Sequence, residues 1–333
     1  MDEKEKNLLS IIRDLAISKQ LNILFGSGVS KPANPLMNEV NGENEEEKNK
    51  ELIKQIKKVN KDLIDRKKTK SDSISKTLDN YRNFIFQVLN LLNISNSRQT
   101  PRSVNIFTTN YDLFIEKAVD ELLEDNRFIF NDGANGYFDR YLDSSNYNKV
   151  VSYKGLNDNY INELPTINLI KPHGSVNWEK DNDKILVTNH VVKDCVVVKP
   201  NGLEEQDTFL NNHFHEMLRL FQLELDKPQT LLLVIGFSFQ DKHIAKMFKR
   251  ALQNSEFFAI IFCYSDKDEK TIKNNLKINS CSKNFKLLTP SVFSNSGDTK
   301  DILVKEHDEN GVEYLHFDIT SLTKIFEGDG YGW

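Results

Sequence analysis

Five short runs in this chain are apolar at nearly every position: Leu21 to Phe25, Val104 to Phe107, Ile167 to Ile170, Leu231 to Ile235 and Phe257 to Cys263. A strand with one face in water alternates apolar and polar residues. Runs that do not alternate belong to strands buried on both faces, as in a parallel sheet covered by helices. Between them lie segments with helical spacing, at 4–19, 113–123, 207–225, 241–253 and 267–276. The alternation predicts an α/β fold with a parallel sheet and helices on both of its faces. Lys286 to Thr289 and Val312 to Asp318 are expected to finish that sheet. Ile185 to Val187 and Val196 to Val198 read as two short strands, with a hairpin between them as the simplest pairing. Residues 131–165, rich in Asn, Asp, Gly and Tyr, read as an irregular excursion.

One stretch interrupts the alternation. Residues 31–42 contain Pro32 and Pro35 and read as loop. From Glu43 to about Lys70 the chain is a charge run, read as a solvated helical face and a loop after it. Phe84 to Leu92 has the apolar density of a helix packed on something. Residues 34–100 are therefore expected to be a mostly helical insertion within one domain made of 1–33 and 101–333.

The balance of 44 Lys+Arg against 49 Asp+Glu gives a net charge of −5, which argues against a generic nucleic-acid binder. Three cysteines, Cys195, Cys263 and Cys281, form no C-x-x-C pair, so no zinc ribbon and no bound metal are expected. The charged start leads into no secretory apolar core, and the apolar runs are far shorter than the roughly 20 residues a membrane helix needs. A soluble, cytoplasmic protein with no membrane contact is the expectation. His213 and His215 lie two apart on a predicted helix, point in nearly opposite directions, and cannot share a metal ion.

In an open parallel sheet, ligands bind at the carboxyl ends of the strands. Four strand ends here carry polar or glycine-containing turns: Gly26–Ser30, Thr108–Asp112, His173–Ser175 and Gly236–Ser238. Each alone is ordinary. The G-x-G of the first lacks the third glycine of the dinucleotide fingerprint, because Lys31 stands there. Asn110 has the look of a turn residue, and Gly236-Phe237-Ser238-Phe239-Gln240 fails the nucleophile-elbow pattern at its last position. Their coincidence on one sheet edge makes them a candidate site.

Taken together and in order, the turns resemble those of sirtuins, from about residue 20 to 265. Gly26-Ser27-Gly28-Val29-Ser30 resembles their glycine-alanine-glycine-isoleucine-serine loop. Thr109-Asn110-Tyr111-Asp112 is similar to their threonine-glutamine-asparagine-isoleucine-aspartate segment, and His173-Gly174-Ser175 to the histidine-glycine turn of the catalytic base. Gly236-Phe237-Ser238 resembles the late turn at the adenosine ribose. The resemblance implies a Rossmann-like fold and NAD as substrate. It implies Asn110 and His173 as catalytic residues, and Gly26, Ser27, Gly28, Ser30, Asp112, Gly236 and Ser238 as NAD contacts. The deacylases of the family carry a four-cysteine zinc module and an arginine-containing stretch after the glycine loop; this chain has neither. It is more similar to the zinc-free, NAD-hydrolysing branch found in bacterial anti-phage defence. That likeness implies an oligomeric effector, with a HerA-type ATPase or an Argonaute-like protein as partner.

The chemistry agrees with those residue types. Cleaving the nicotinamide–ribose bond builds oxocarbenium-like charge on the ribose, and the leaving group is already cationic, so no strong general acid is needed. The reaction needs backbone N–H groups for the pyrophosphate, here offered by Gly26–Ser30 at an expected helix N-terminus. It needs an amide such as Asn110 to orient a water or ribose hydroxyl. It needs a base that titrates near neutrality, such as His173. Two alternatives stand beside the hydrolase. One is a module that senses NAD or an ADP-ribose derivative without turnover; the other is an ADP-ribosyl or acyl transfer enzyme acting on protein.

Overall fold

The computed structural model describes residues 3–65, 67, 69–94, 102–154, 161–199, 212–293, 300–307 and 311–328. In chain order the strands are β1 (Gln20–Phe25), β2 (Ser103–Thr108), β3 (Ile129–Asn131), β4 (Thr166–Ile170), β5 (Gly174–Asp181), β6 (Lys184–Val187), β7 (Cys195–Val197), β8 (Thr230–Ile235), β9 (Phe257–Phe262) and β10 (Phe285–Leu288). The helices are α1 (Glu3–Ser18), α2 (Glu45–Ile64), α3 (Asp72–Ile94), α4 (Phe114–Leu122), α5 (Asn212–Asp226), α6 (Lys242–Ala251), α7 (Asp268–Leu276) and α8 (Ile319–Glu327). The fold is α/β and Rossmann-like, as the apolar runs predict. None of the described helices is long and apolar enough to cross a membrane.

The chain divides into two compact units, whose borders cut through α3, β2 and α5. The first comprises Met1–Val29, Asn83–Val104 and Gln222–Trp333. Its strands run in the order β10-β9-β8-β1, all parallel, with Gln20 opposite Thr230 and Thr230 opposite Phe257. Ile23, Leu24, Phe25 and Leu231–Val234 are fully buried, so neither face of β1 or β8 meets water. Aromatic rings fill the space beside the sheet: Phe25 meets Phe84 edge-on at 5.3 Å, and Phe248 packs on Phe239, Phe257 and Phe285. Arg13 Nε donates to the Phe326 carbonyl at 3.1 Å and joins α1 to α8. Lys286 to Thr289 supplies the edge strand, as expected. The 312–318 segment does not: Glu313–His316 pairs antiparallel with Val304–His307 in a separate two-stranded ribbon. Apart from His316 its residues are exposed or only partly buried, which suits a ribbon and not a two-faced strand.

The second unit comprises Ser30–Arg82 and Asn105–Phe221. Its strands β2, β4 and β3 lie in that order, with Ile129 opposite Thr166. An asparagine ladder crosses all three. Asn131 Nδ2 donates to Asn168 Oδ1 at 3.1 Å, and Asn168 Nδ2 to Asn105 Oδ1 at 2.8 Å. A slip of one residue would turn these buried amides to the opposite face, so the ladder pins the register. Five antiparallel strands stand apart from these, in the order β7-β5-β6 followed by Tyr141–Leu142 and Ala134–Asn135. The expected hairpin is thereby corrected. β6 and β7 flank β5 on either side and do not pair with each other. The excursion at 131–165 contains those two short strands and the pair Ser152–Lys154 with Ile161–Glu163; 155–160 lie outside the described residues. Of the helix predicted at 207–225, residues 207–211 also lie outside them.

The charge run is more than a solvated face. α2 buries Asn49, Leu52, Ile56, Asn60 and Leu63 along one stripe. Asn60 Oδ1 accepts the Leu113 amide at 2.7 Å, so α2 caps the start of α4, whose own N-cap residue, Leu113, has no side chain that can do so.

Candidate functional site

In the first unit, β1 ends beside β8 and two of the four strand-end turns meet. The Gly26 amide donates to the Ile235 carbonyl at 3.1 Å and the Gly28 amide to the Gly236 carbonyl at 3.2 Å. A Cβ on Gly26 would lie 2.2 Å from the Gly236 oxygen, and one on Gly236 (φ +66°) 2.8 Å from the Val29 nitrogen. Close backbone approach is therefore the reason for glycine at both positions. This corrects the pyrophosphate argument in two respects. Two of the amides in question bond to carbonyls at the end of β8 and just after it, and residues 27–30 form one 3-10 turn, not the start of an α-helix. Ser27 opens that turn and is exposed. Ser238 is exposed too, its carbonyl held by Asn275 Nδ2 at 2.8 Å. Asp241, just beyond, caps α6 by accepting the His243 and Ile244 amides. Phe239 is buried against Phe248 and serves the core.

The second unit gathers Ser30, Asn110 and Asp112. Ser30 Oγ donates to Asp112 Oδ2 at 2.7 Å and accepts from Asn110 Nδ2 at 3.1 Å and from the Tyr81 hydroxyl at 2.9 Å. Its one donor and two lone pairs are all engaged. Asn34 Nδ2 donates to the same Asp112 oxygen at 2.9 Å, and the Phe114 amide reaches Oδ1 at 3.4 Å. Ser30, Asn34, Tyr81, Asn110 and Asp112 are all buried. Residue 30 reaches this cluster because the chain turns sharply after β1, and residues 110–112 because β2 ends two residues earlier.

The segment bearing His173 is laced to the same place. The Val176 amide donates to the Tyr111 carbonyl at 2.9 Å, and the Ser175 hydroxyl reaches that oxygen at 3.3 Å. The Tyr111 hydroxyl donates to the Val198 carbonyl, whose own amide donates to the His173 carbonyl at 2.9 Å. His173 is half-buried. Gly174 and Ser175 open β5, so the turn after β4 is shorter than the sequence implies.

Tyr81, Asn34, Lys171 and Glu116 belong to this cluster and were not among the expected site residues. Lys171 carries the one legible signal, a cation continuing an apolar strand directly into a proline. Burial raises the carboxyls of Asp112 and Glu116 above their ordinary values, against the opposing charge of Lys171. Burial and the neighbouring Asp112 charge push the Tyr81 phenol well up. The two carboxyls hold protons more tightly in the folded chain than in the unfolded one. Their contribution to stability is full below the ordinary value, 4.5 for Glu116, and is lost as the pH rises through the raised value. The wild type should therefore lose stability relative to Glu116→Gln as pH rises from 4.5 towards neutrality, read from urea midpoints. A relative stability that climbs over that range would refute the burial argument.

A cleft of about 510 Å³ elsewhere in the second unit is lined by Tyr141, Lys149, Lys184, His213 and Glu216 and holds none of the residues above. Among the described residues no group of His, Cys, Asp and Glu gathers as a metal site, and the three cysteines are free.

Parallel strands whose carboxyl ends carry turns and buried polar groups define an α/β protein of the Rossmann-like class, in which ligands bind at those ends. The model of the SIR2-like domain matches residues 104–281, more than half of the chain, and the chain belongs to that family. Its members are in general NAD-dependent enzymes. Three of the four turns fall inside the match, and Gly26–Ser30 precedes it. No curated protein matches the chain.

Proposed function

We propose that this protein is an NAD glycohydrolase: water attacks C1 of the nicotinamide ribose, the C–N bond breaks, and nicotinamide, ADP-ribose and a proton are released. The observation that carries the reading is the buried Ser30–Asn110–Asp112 cluster laced to the His173 segment within one unit of a SIR2-like chain. Asn110 orients the attacking water through its amide, and His173 takes the proton. Asp112 steadies the turn, because its carboxylate is engaged by Ser30, Asn34 and the Phe114 amide.

The alternative is an NAD or ADP-ribose sensing module without turnover. The two separate on one experiment: the purified chain is incubated with NAD and nicotinamide release is followed by chromatography, with light scattering across a wide concentration range. Release is expected for the hydrolase; binding of NAD without release at any concentration supports the sensor and overturns the enzyme. We further propose that the activity is an antiviral effector function held in check by self-assembly or by a HerA-type or Argonaute-like partner, since unchecked hydrolysis would drain the host's own cofactor. A monomer with full turnover at every concentration removes that regulatory claim.

A further inference from the structure

Lys171 is 3% exposed, and its ammonium has three N–H donors. All three are engaged, each by a different element. Nζ donates to the Asp112 carbonyl at 2.5 Å, to Glu116 Oε1 in the first turn of α4 at 2.9 Å, and to Ser175 Oγ at the start of β5 at 3.0 Å. The first acceptor lies two residues after Asn110, the third two residues after His173. A buried ammonium is costly to desolvate and must find an acceptor for each of its donors; here the segment after Asn110 and the segment after His173 both supply them. We infer that Lys171 is a positioning residue that holds the Asn110 segment against the His173 segment, and so sets the geometry of the reaction proposed above, on which this inference rests.

Substituting Lys171 alone would strand the Glu116 carboxylate, so the test removes both charges together. The double variant Lys171→Met/Glu116→Gln comes within one atom of the original side-chain lengths and removes the ion pair as a unit, leaving Asp112 held by Ser30, Asn34 and the Phe114 amide. It is expected to unfold near the wild-type midpoint, to keep KM for NAD within about twofold, and to lose kcat on the order of 100-fold, the cost of a misplacement near 1 Å. Wild-type kcat in a folded double variant would show that Lys171 merely neutralises Glu116 and would overturn the inference. A second readout is independent of turnover. Amide hydrogen exchange at residues 111–114 and 174–176 is expected to quicken in the double variant while the strands of the first unit stay protected. Unchanged exchange there also overturns the inference. Should the wild type release no nicotinamide, the proposed function fails, and the exchange result still decides whether Lys171 holds the two segments. If the double variant does not fold, Ser175→Ala removes one acceptor at little cost in volume. It should lower kcat by on the order of tenfold with the same local increase in exchange.

Discussion

His173→Ala is expected to slow nicotinamide release by about 100-fold to 10,000-fold, the usual loss when a general base is removed. The fold should survive. The bond that ties this residue to β7's end runs from the Val198 amide to the His173 carbonyl, and a backbone bond persists in the alanine variant. Asn110→Ala should cost a similar factor in rate, and more in stability, because Asn110 Nδ2 also donates to the buried Ser30 hydroxyl. Leaving that lone pair unmatched costs about 1–3 kcal/mol. The measurement is single-turnover nicotinamide release alongside a urea unfolding curve for each variant. Wild-type turnover in His173→Ala would sink the mechanism, whatever happens to Asn110.

Gly26→Ala is expected to be strongly destabilising. The new Cβ would meet the Gly236 carbonyl oxygen at 2.2 Å and Phe237 Cα at 2.7 Å, and all of that is backbone that cannot rotate away. Relief requires β1 and β8 to part at their ends, where each is fully buried. The cost should be about 3 kcal/mol or more, the upper range for overpacking a well-filled interior. Gly311→Ala is the control. Unlike Gly26 it has a positive φ (+77°), but a Cβ there meets nothing within 4 Å, so only the conformational term of about 1–2 kcal/mol applies. Equal unfolding midpoints for the two variants would mean that the glycine turns are not packed as described.

Much of the architecture was legible because burial on both faces leaves a local mark. β1, β2, β4, β8 and β9 each begin and end within about two residues of their apolar runs, and a run that does not alternate has few other ways to fold. The helices between them follow from spacing alone for the same reason. The strand-end turns were legible too, since a parallel sheet puts its polar punctuation at one edge, and the family match confirms the class to which those turns pointed. What the sequence could not decide depends on partners far along the chain. Asn60 reads as one more polar residue in a charge run, yet it caps a helix 53 positions away. Gly26 and Gly236 read as ordinary turn or ligand glycines until their strands are set side by side. β6 and β7 looked like partners because they are neighbours in sequence, whereas β5 lies between them and takes both. Lys171 stands out in sequence only as a cation between an apolar strand and a proline, and only the meeting of segments around its ammonium explains its burial. Apolar periodicity is a property of ten consecutive residues and can be read from them. The environment of a buried polar atom is a property of whatever the fold brings beside it, and no window of sequence contains that.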